Sequence, residues 1–152
     1  DFMKKKILII ILIIILLALI SIGLYYFDLN RIVETPEYPA RSYSINDTNN
    51  SISYTFYGDG VTQVKTVTTY LFKDNLLNEV KIEKHYPSKA LAKGDVDYNN
   101  GVYVNKLVNK NNINYVTLKD ADSIGDIFGK TKEEIKEIYS WLEESDQFTK
   151  IN

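Results

Sequence analysis

The sequence predicts an α+β protein with an N-terminal single transmembrane helix, then a small antiparallel sheet of about five strands packed by a C-terminal amphipathic helix. Three observations predict this arrangement. An uncharged apolar run stands near the N-terminus, alternating apolar and polar residues fill the middle of the chain, and an apolar stripe at helical spacing closes it. The predicted strands follow one another rather than alternating with helices, which favours an antiparallel sheet.

Composition excludes several function classes. The 152-residue chain has 20 acidic and 18 basic residues, one histidine and no cysteine. Without cysteine there is no disulfide, zinc ribbon, thiol nucleophile or lipid-bearing cysteine. The net charge of -2 lacks the basic footprint of nucleic-acid binding. We therefore expect no cofactor, no metal and no nucleic-acid partner.

The first predicted element is the uncharged stretch Ile7–Phe27, which is 21 residues long. As a helix rising ~1.5 Å per residue it would span ~31 Å, close to the ~30 Å of a bilayer core. Lys4, Lys5 and Lys6 precede it, so the positive-inside rule predicts a cytoplasmic segment 1–6 and an exterior remainder. The alternative is a signal peptide cleaved near Gly23, which would give a secreted protein.

An extracytoplasmic tether is predicted over residues 28–50. Periodicity is lost there, around Pro36, Pro39 and a polar run from Ser44 to Asn50. The folded domain is then expected over residues 51–152. From Asp28 onward the chain carries 19 acidic and 15 basic residues, a balance that does not favour adhesion to anionic polymers.

Three strands are predicted between residues 51 and 86. The first alternates Ile52 and Tyr54 with serines, and the second runs from Val61 to Phe72. The third places four apolar residues on one face: Leu76, Val80, Ile82 and Tyr86. Its other face carries Glu79, Lys81, Glu83 and His85. We therefore expect a sheet with one solvent-facing side.

The second half of the domain begins with a helical turn that Ser88 caps and that ends at Lys93, before Gly94. Strands are predicted at Val102–Val108 and Ile113–Leu118. A capping box at Thr131–Glu134 then starts the last helix. Its apolar stripe is Ile135, Ile138, Tyr139 and Leu142. Its acids should face water: Glu133, Glu134, Glu137, Glu143 and Glu144.

Two acidic clusters resemble a calcium-binding loop but lack residues that such a loop requires. The first has oxygen ligands at positions one, three and five: Asp95, Asp97 and Asn99. Its sixth and twelfth positions are Asn100 and Lys106 instead of the required Gly and Glu. The second cluster is Asp120, Asp122 and Asp126, with Thr131 at position twelve. We interpret the first as a polar turn before a strand and the second as the acid-rich start of a helix.

The expected function follows from the apolar segment and from the lack of a recognisable catalytic motif. Ile, Asn, Lys and Tyr make up 61 of the 152 residues, which favours an AT-rich bacterial genome. We expect a membrane-anchored, extracytoplasmic binding or accessory module of a bacterial envelope rather than an enzyme. Its partners would be the lipid bilayer, through Ile7–Phe27, and a protein in the same membrane.

Two residues are candidates for contact with that partner. Trp141 falls at the edge of the helical stripe, and His85 lies on the solvent-facing side of its strand. Two alternatives stay open. One is an envelope hydrolase that uses carboxylates such as Glu79 or Glu83 near His85, and the other is a glycan-binding domain built on the 12 tyrosines.

Overall fold

A computed structural model of the protein describes residues 2–58, 63–99, 107–119 and 125–151, with the backbone alone at 97–99 and 125. The chain forms two compact units, Asp1–Arg31 and Ile32–Asn152. The first contains helix α1 (Phe2–Asn30), in which no residue is buried. The helix is long and apolar enough to cross a membrane or to act as a signal sequence. The predicted N-terminal apolar helix is therefore confirmed.

The second unit combines a mixed sheet with short helices, which confirms the α+β class. Within the described residues the sheet has seven strands: β1 (Ser42–Asp47), β2 (Ser51–Tyr57), β3 (Lys65–Lys73), β4 (Leu76–His85), β5 (Leu107–Lys110), β6 (Ile113–Lys119) and β7 (Thr149–Lys150). The helices are α2 (Lys89–Asn99), α3 (Lys132–Ile138) and α4 (Trp141–Glu144), with a 3-10 turn at Gly125–Ile127.

The strand order across the sheet is β5-β6-β4-β3-β2-β1-β7. Neighbouring strands are antiparallel except β1 and β7, which are parallel. The prediction of about five antiparallel strands was therefore wrong in number and in one pairing. Both added strands lie at one side of the sheet, β1 within a segment predicted as tether and β7 after the last predicted helix.

Strand β1 corrects the secondary structure predicted for residues 42–47. Tyr43 and Ile45 pair with Phe56 and Tyr54 of β2 and belong to the core, whereas Asn46 is exposed. Burial decreases along the strand, from the buried Ser42 and Tyr43 to the exposed Asn46 and Asp47, instead of alternating. The polar residues from Ser44 onward hid this strand, because such a run is also typical of a loop.

A bulge in β4 corrects the predicted faces of that strand. Leu71 of β3 pairs with Glu79, but Phe72 pairs with Leu77, so Asn78 is an extra residue. One extra residue moves the side chains before it to the opposite face. Leu77 is consequently buried and Leu76 exposed, the reverse of the prediction for Leu76.

Three other boundaries differ. Strand β3 begins at Lys65 rather than Val61, and β5 is described from Leu107; residues 61–62 and 102–106 of the predicted strands lie outside the described residues. Helix α2 continues through Gly94 to Asn99, so the predicted end at Lys93 and the polar turn after it were wrong. A glycine inside a helix costs only ~1 kcal/mol, which packing of α2 on β5 and β6 can offset.

The terminal helix begins as predicted and then breaks. The Thr131 hydroxyl accepts the Glu134 N–H, and the Glu134 carboxylate accepts the Thr131 N–H, which confirms the capping box. The helix stops at Ile138 and restarts at Trp141, and the break leaves Ile138 exposed while Ile135 and Leu142 are buried. The acids of both helices face water, as predicted.

The core face of the sheet has two parts. The part we call the aromatic end lies beneath α3 and α4, and its rings are Tyr43, Tyr54, Phe56, Tyr70, Tyr139 and Phe148. The part we call the polar end lies next to α2, and its members are Lys84, Tyr86, Asp95, Asn109 and Asn114. The opposite face of the sheet carries hydroxyl and charged side chains, as predicted for a solvent-facing side.

Candidate functional site

Trp141 is exposed on the first turn of α4. Its side chain is 47% exposed, and its ring stands edge-on to Phe148, with ring centroids 5.7 Å apart. Phe148 in turn contacts Phe56 at 6.1 Å, which joins this surface to the aromatic end. Ile138, 46% exposed, ends α3, and two residues separate it from the start of α4. We call Ile138 and Trp141 the terminal-helix patch.

A groove of about 480 Å³ lies between β1 and the terminal helices. The ring of Tyr139 stacks on Tyr54, with centroids 3.8 Å apart, and its hydroxyl lies 2.6 Å from the Tyr70 hydroxyl. Burial raises the pKa of Tyr54 to about 12 and raises that of Tyr70 further. These phenols are therefore neutral at physiological pH, and the apolar wall of the groove is an aromatic stack.

An ion cluster closes the end of this groove. The carboxylate of Asp47, the last residue of β1, lies 2.5 Å from Lys136 Nζ and 2.9 Å from Lys132 Nζ. Hydrogen bonds from Lys136 and Lys132 hold the pKa of Asp47 below its ordinary value, against a smaller opposing effect of burial. Because both lysines belong to α3, the cluster fastens that helix to the end of β1.

His85 occupies a different setting from the one predicted. It lies on the predicted face of β4, but only 11% of its side chain is exposed. Its Nδ1 is 3.1 Å from each carboxylate oxygen of Glu34, and its Nε2 is 3.3 Å from Glu83 Oε2. The expectation of an exposed surface histidine was therefore wrong, because Glu34 comes from the segment predicted as tether and covers it.

Glu34 is the centre of this arrangement. Asn112 Nδ2 donates to its Oε2 at 2.8 Å, and Lys65 Nζ lies 3.5 Å from its Oε1. Burial alone would raise the pKa of Glu34, but the contacts with His85, Asn112 and Lys65 together hold that pKa below the ordinary value. We call Glu34, Lys65, Glu83, His85 and Asn112 the His85 cluster.

Sequence reasoning found only part of the cluster. Glu83 was predicted near His85, whereas Glu34 and Asn112 were missed. No sequence signal marks Glu34, because an acid in an aperiodic stretch just before Pro36 is typical of a solvated linker. The other predicted carboxylate, Glu79, lies 3.2 Å from Lys81 and 3.8 Å from Lys119, away from His85.

The structure also bears on the two acidic clusters that were compared with a calcium loop. Among the residues that the structure describes, no group of three or more His, Asp or Glu is arranged to hold a metal ion. Of the first calcium-loop candidate, Asp95 lies in α2, where Asn114 donates to its carboxylate at 3.2 Å. Asn100, Lys106, Asp120 and Asp122 lie outside the described residues.

Comparison with known proteins gives no relative. No protein-family model matches the chain, and no curated protein or solved structure shows significant similarity to it. The fold and these surfaces define a general class: an α+β unit preceded by an apolar helix that is long enough to span a membrane. Any narrower function has to be argued from the described surfaces.

Proposed function

We propose that this protein is a membrane-anchored accessory module of a bacterial cell envelope, held by α1 in the cytoplasmic membrane and binding a protein partner outside it. The observation that carries the proposal is the division of the chain into an apolar helix without a buried residue and a separate folded unit. Such a helix is stable when its side chains are in an apolar medium. The three lysines at its start and Asp28 near its end favour an exterior folded unit.

The terminal-helix patch is the surface that we assign to the partner. Trp is enriched at the centres of protein interfaces, and an exposed Trp and an exposed Ile on consecutive helices leave apolar area uncovered. The charges of the same helices are mixed, with Glu137 and Glu144 exposed, Glu143 3.7 Å from Lys150, and Lys136 45% exposed. The apolar side chains rather than the charges therefore carry this assignment.

The anchor is tested by cysteine labelling, for which the cysteine-free chain needs no prior substitution. Lys5→Cys lies before the apolar run, and Glu144→Cys lies on the exposed side of α4. In intact cells an impermeant maleimide should label Glu144→Cys and should label Lys5→Cys only after permeabilisation. Labelling in the reverse pattern would contradict the topology. A mature chain that begins after Gly23 would instead establish the secreted alternative.

The binding surface is tested by photo-crosslinking from single positions in the membrane-bound full chain. A photoreactive residue at Ile138 or Trp141 should give a discrete adduct with one envelope protein. Val108 is the matched control, because it is an exposed aliphatic residue at the opposite edge of the sheet, on β5. Equal adducts from all three positions, or none from Ile138 and Trp141, would contradict this assignment.

A further inference from the structure

The segment 32–36, which follows α1, is fastened to the end of β4 at two points. The Val33 N–H donates to the Pro87 carbonyl at 2.8 Å, immediately beyond the strand. The Glu34 carboxylate meets His85 Nδ1 at 3.1 Å. Because Val33 and Glu34 are adjacent, the backbone contact and the side-chain contact hold or release the same short stretch of chain.

The imidazole of His85 faces a carboxylate at each of its two nitrogens. Nδ1 meets Glu34, and Nε2 meets Glu83. A neutral imidazole has one N–H and one lone pair, so one of these contacts would place a lone pair against a carboxylate oxygen. An imidazolium donates at both nitrogens. The two contacts are therefore both favourable only when His85 is charged.

The charged groups around His85 come from three elements. Glu34 belongs to segment 32–36, Glu83 lies on β4 itself, and Lys65 on β3 reaches Glu34 rather than the imidazole. Asn112, in the turn between β5 and β6, contributes a neutral amide. Two carboxylates thus face the imidazole directly, and the one ammonium faces Glu34.

We propose that His85 is a proton-controlled latch, which as imidazolium holds Glu34 and Glu83 together and so ties segment 32–36 to the end of β4, and which on losing its proton loosens that tie. Imidazole side chains change charge between about pH 5 and pH 8. Both contacts are charge-assisted below that interval, and above it the neutral ring can donate to only one of the two carboxylates. The latch is independent of the proposed anchor, because Glu34 follows both α1 and the candidate cleavage site at Gly23.

The chain offers two reporters of release and a control within one molecule. Its two arginines, Arg31 and Arg41, flank the latched segment. The bond after Arg31 leads directly into that segment. The bond after Arg41 leads into β1, and its carbonyl accepts the Thr149 N–H at 2.9 Å. Cleavage after Arg31 therefore reports release of the segment, whereas cleavage after Arg41 reports opening of the sheet edge.

The test combines Arg-specific proteolysis with NMR of the full chain in micelles. His85 is the one histidine, so its titration needs no assignment. Cleavage after Arg31, normalised to a free arginine peptide, should rise roughly tenfold from about pH 5 to about pH 9, with its midpoint at the imidazole titration. Cleavage after Arg41 should stay constant. Cleavage after Arg31 that is constant across that titration, or a joint rise at both sites, would overturn the latch.

Variants separate the latch from general destabilisation. Glu34→Gln should make cleavage after Arg31 fast and nearly independent of pH, while the imidazole still titrates. Glu79→Gln is the matched control, since Glu79 lies on the same face of β4 but pairs with Lys81 and Lys119. It should keep the wild-type pH profile. A Glu34→Gln chain with an unchanged profile would also overturn the proposal.

Discussion

The two ends of the core face are stabilised by different chemistry. At the aromatic end, Tyr54, Tyr70 and Tyr139 pack ring against ring beneath α3 and α4. At the polar end, the fully buried Asn114 donates to the Ala92 carbonyl of α2 at 2.8 Å and accepts from Asn109 at 2.7 Å. Ring packing is non-directional, whereas a buried amide needs each of its hydrogen-bond partners in place. We therefore expect the aromatic end to contribute chiefly through buried apolar area and the polar end to fix where α2 lies.

The polar end also holds the buried Tyr86 hydroxyl. Burial, and after it the neighbouring Asp95 carboxylate, raise the pKa of this phenol, whereas Asn114 and Gln63 act in the opposite direction. Lys84 Nζ and Asp95 Oδ2 lie 4.0 Å apart nearby. Polar groups rather than rings thus surround this hydroxyl.

The largest effect is expected from the centre of the aromatic end. Ile135 is completely buried against the core, so Ile135→Ala should lower the free energy of unfolding by ~2–5 kcal/mol. Denaturation of the full chain in micelles, followed by the fluorescence of its one tryptophan, measures this. Ile138→Ala, on the exposed side of the same helix, should change it by less than ~0.5 kcal/mol. Equal losses from both variants would break the assignment of stability to the aromatic end.

A smaller loss with a local signature is expected at the polar end. Asn114→Ala leaves the Ala92 carbonyl and the Asn109 amide without their partner, which should cost ~1–3 kcal/mol. Amide exchange should accelerate in α2 more than in α3. Asn46→Ala, at an exposed position of β1, is the control and should change neither quantity. Faster exchange in α3 than in α2 would contradict a polar end that positions α2.

The sequence was most informative where a structure depends on near neighbours. Helix α1, the capping box at Thr131, and strands β2 and β6 were all predicted, because each is determined by spacing within a few residues. Even there, the break after Ile138 was missed. The spacing of nearby residues predicts where a helix starts more reliably than where it ends. Here the end of α3 depends on the packing of Tyr139 on Tyr54, which is a long-range contact.

Long-range pairing accounts for what the sequence did not predict. Strand β1 is polar enough to pass for a loop until Tyr43 is seen to pair with Phe56. The bulge at Asn78 depends on how β4 pairs with β3, and no pattern in the nearby sequence predicts it. Glu34 meets His85 across 51 residues of sequence, so this member of the cluster could not be derived from spacing. Trp141, predicted at the edge of the apolar stripe, is 47% exposed, and its role in partner binding stays a prediction.

The hydroxyl pair inside the aromatic end should contribute less than its rings. Tyr139→Phe leaves the buried Tyr70 hydroxyl unpaired and should cost ~1 kcal/mol. Tyr70→Phe should cost less, because the half-buried Tyr139 hydroxyl can bond to water instead. The double variant should be more stable than Tyr139→Phe alone, because it has no buried hydroxyl without a hydrogen-bond partner. Strictly additive losses in denaturation experiments would show that the pair is not coupled.

The smallest expected effect is the response to acid, and it differs between Asp47, which fastens α3 at the aromatic end, and Glu34, which fastens segment 32–36 on the opposite face of the sheet. Contacts lower the pKa of Glu34 and of Asp47 in the folded chain. A carboxyl whose pKa is lowered on folding stabilises the fold above its unfolded pKa, and that contribution is lost as the pH falls through the folded value. Stability should therefore decline below the ordinary values of 4.5 for Glu34 and 3.8 for Asp47.

The two contributions can be separated by variants measured against pH. Asp47→Asn should reduce the loss of folding stability at low pH and should accelerate amide exchange in α3, because Lys132 and Lys136 lose their charged partner. Glu34→Gln should also reduce the loss of stability at low pH. It should leave amide exchange in α3 unchanged, because Glu34 contacts β3, β4 and the turn after β5 instead. Glu137→Gln, an exposed acid of α3, is the control for a general charge effect. If Glu137→Gln reduces the loss of stability at low pH as much as the other two variants do, the response to acid comes from net charge rather than from these contacts.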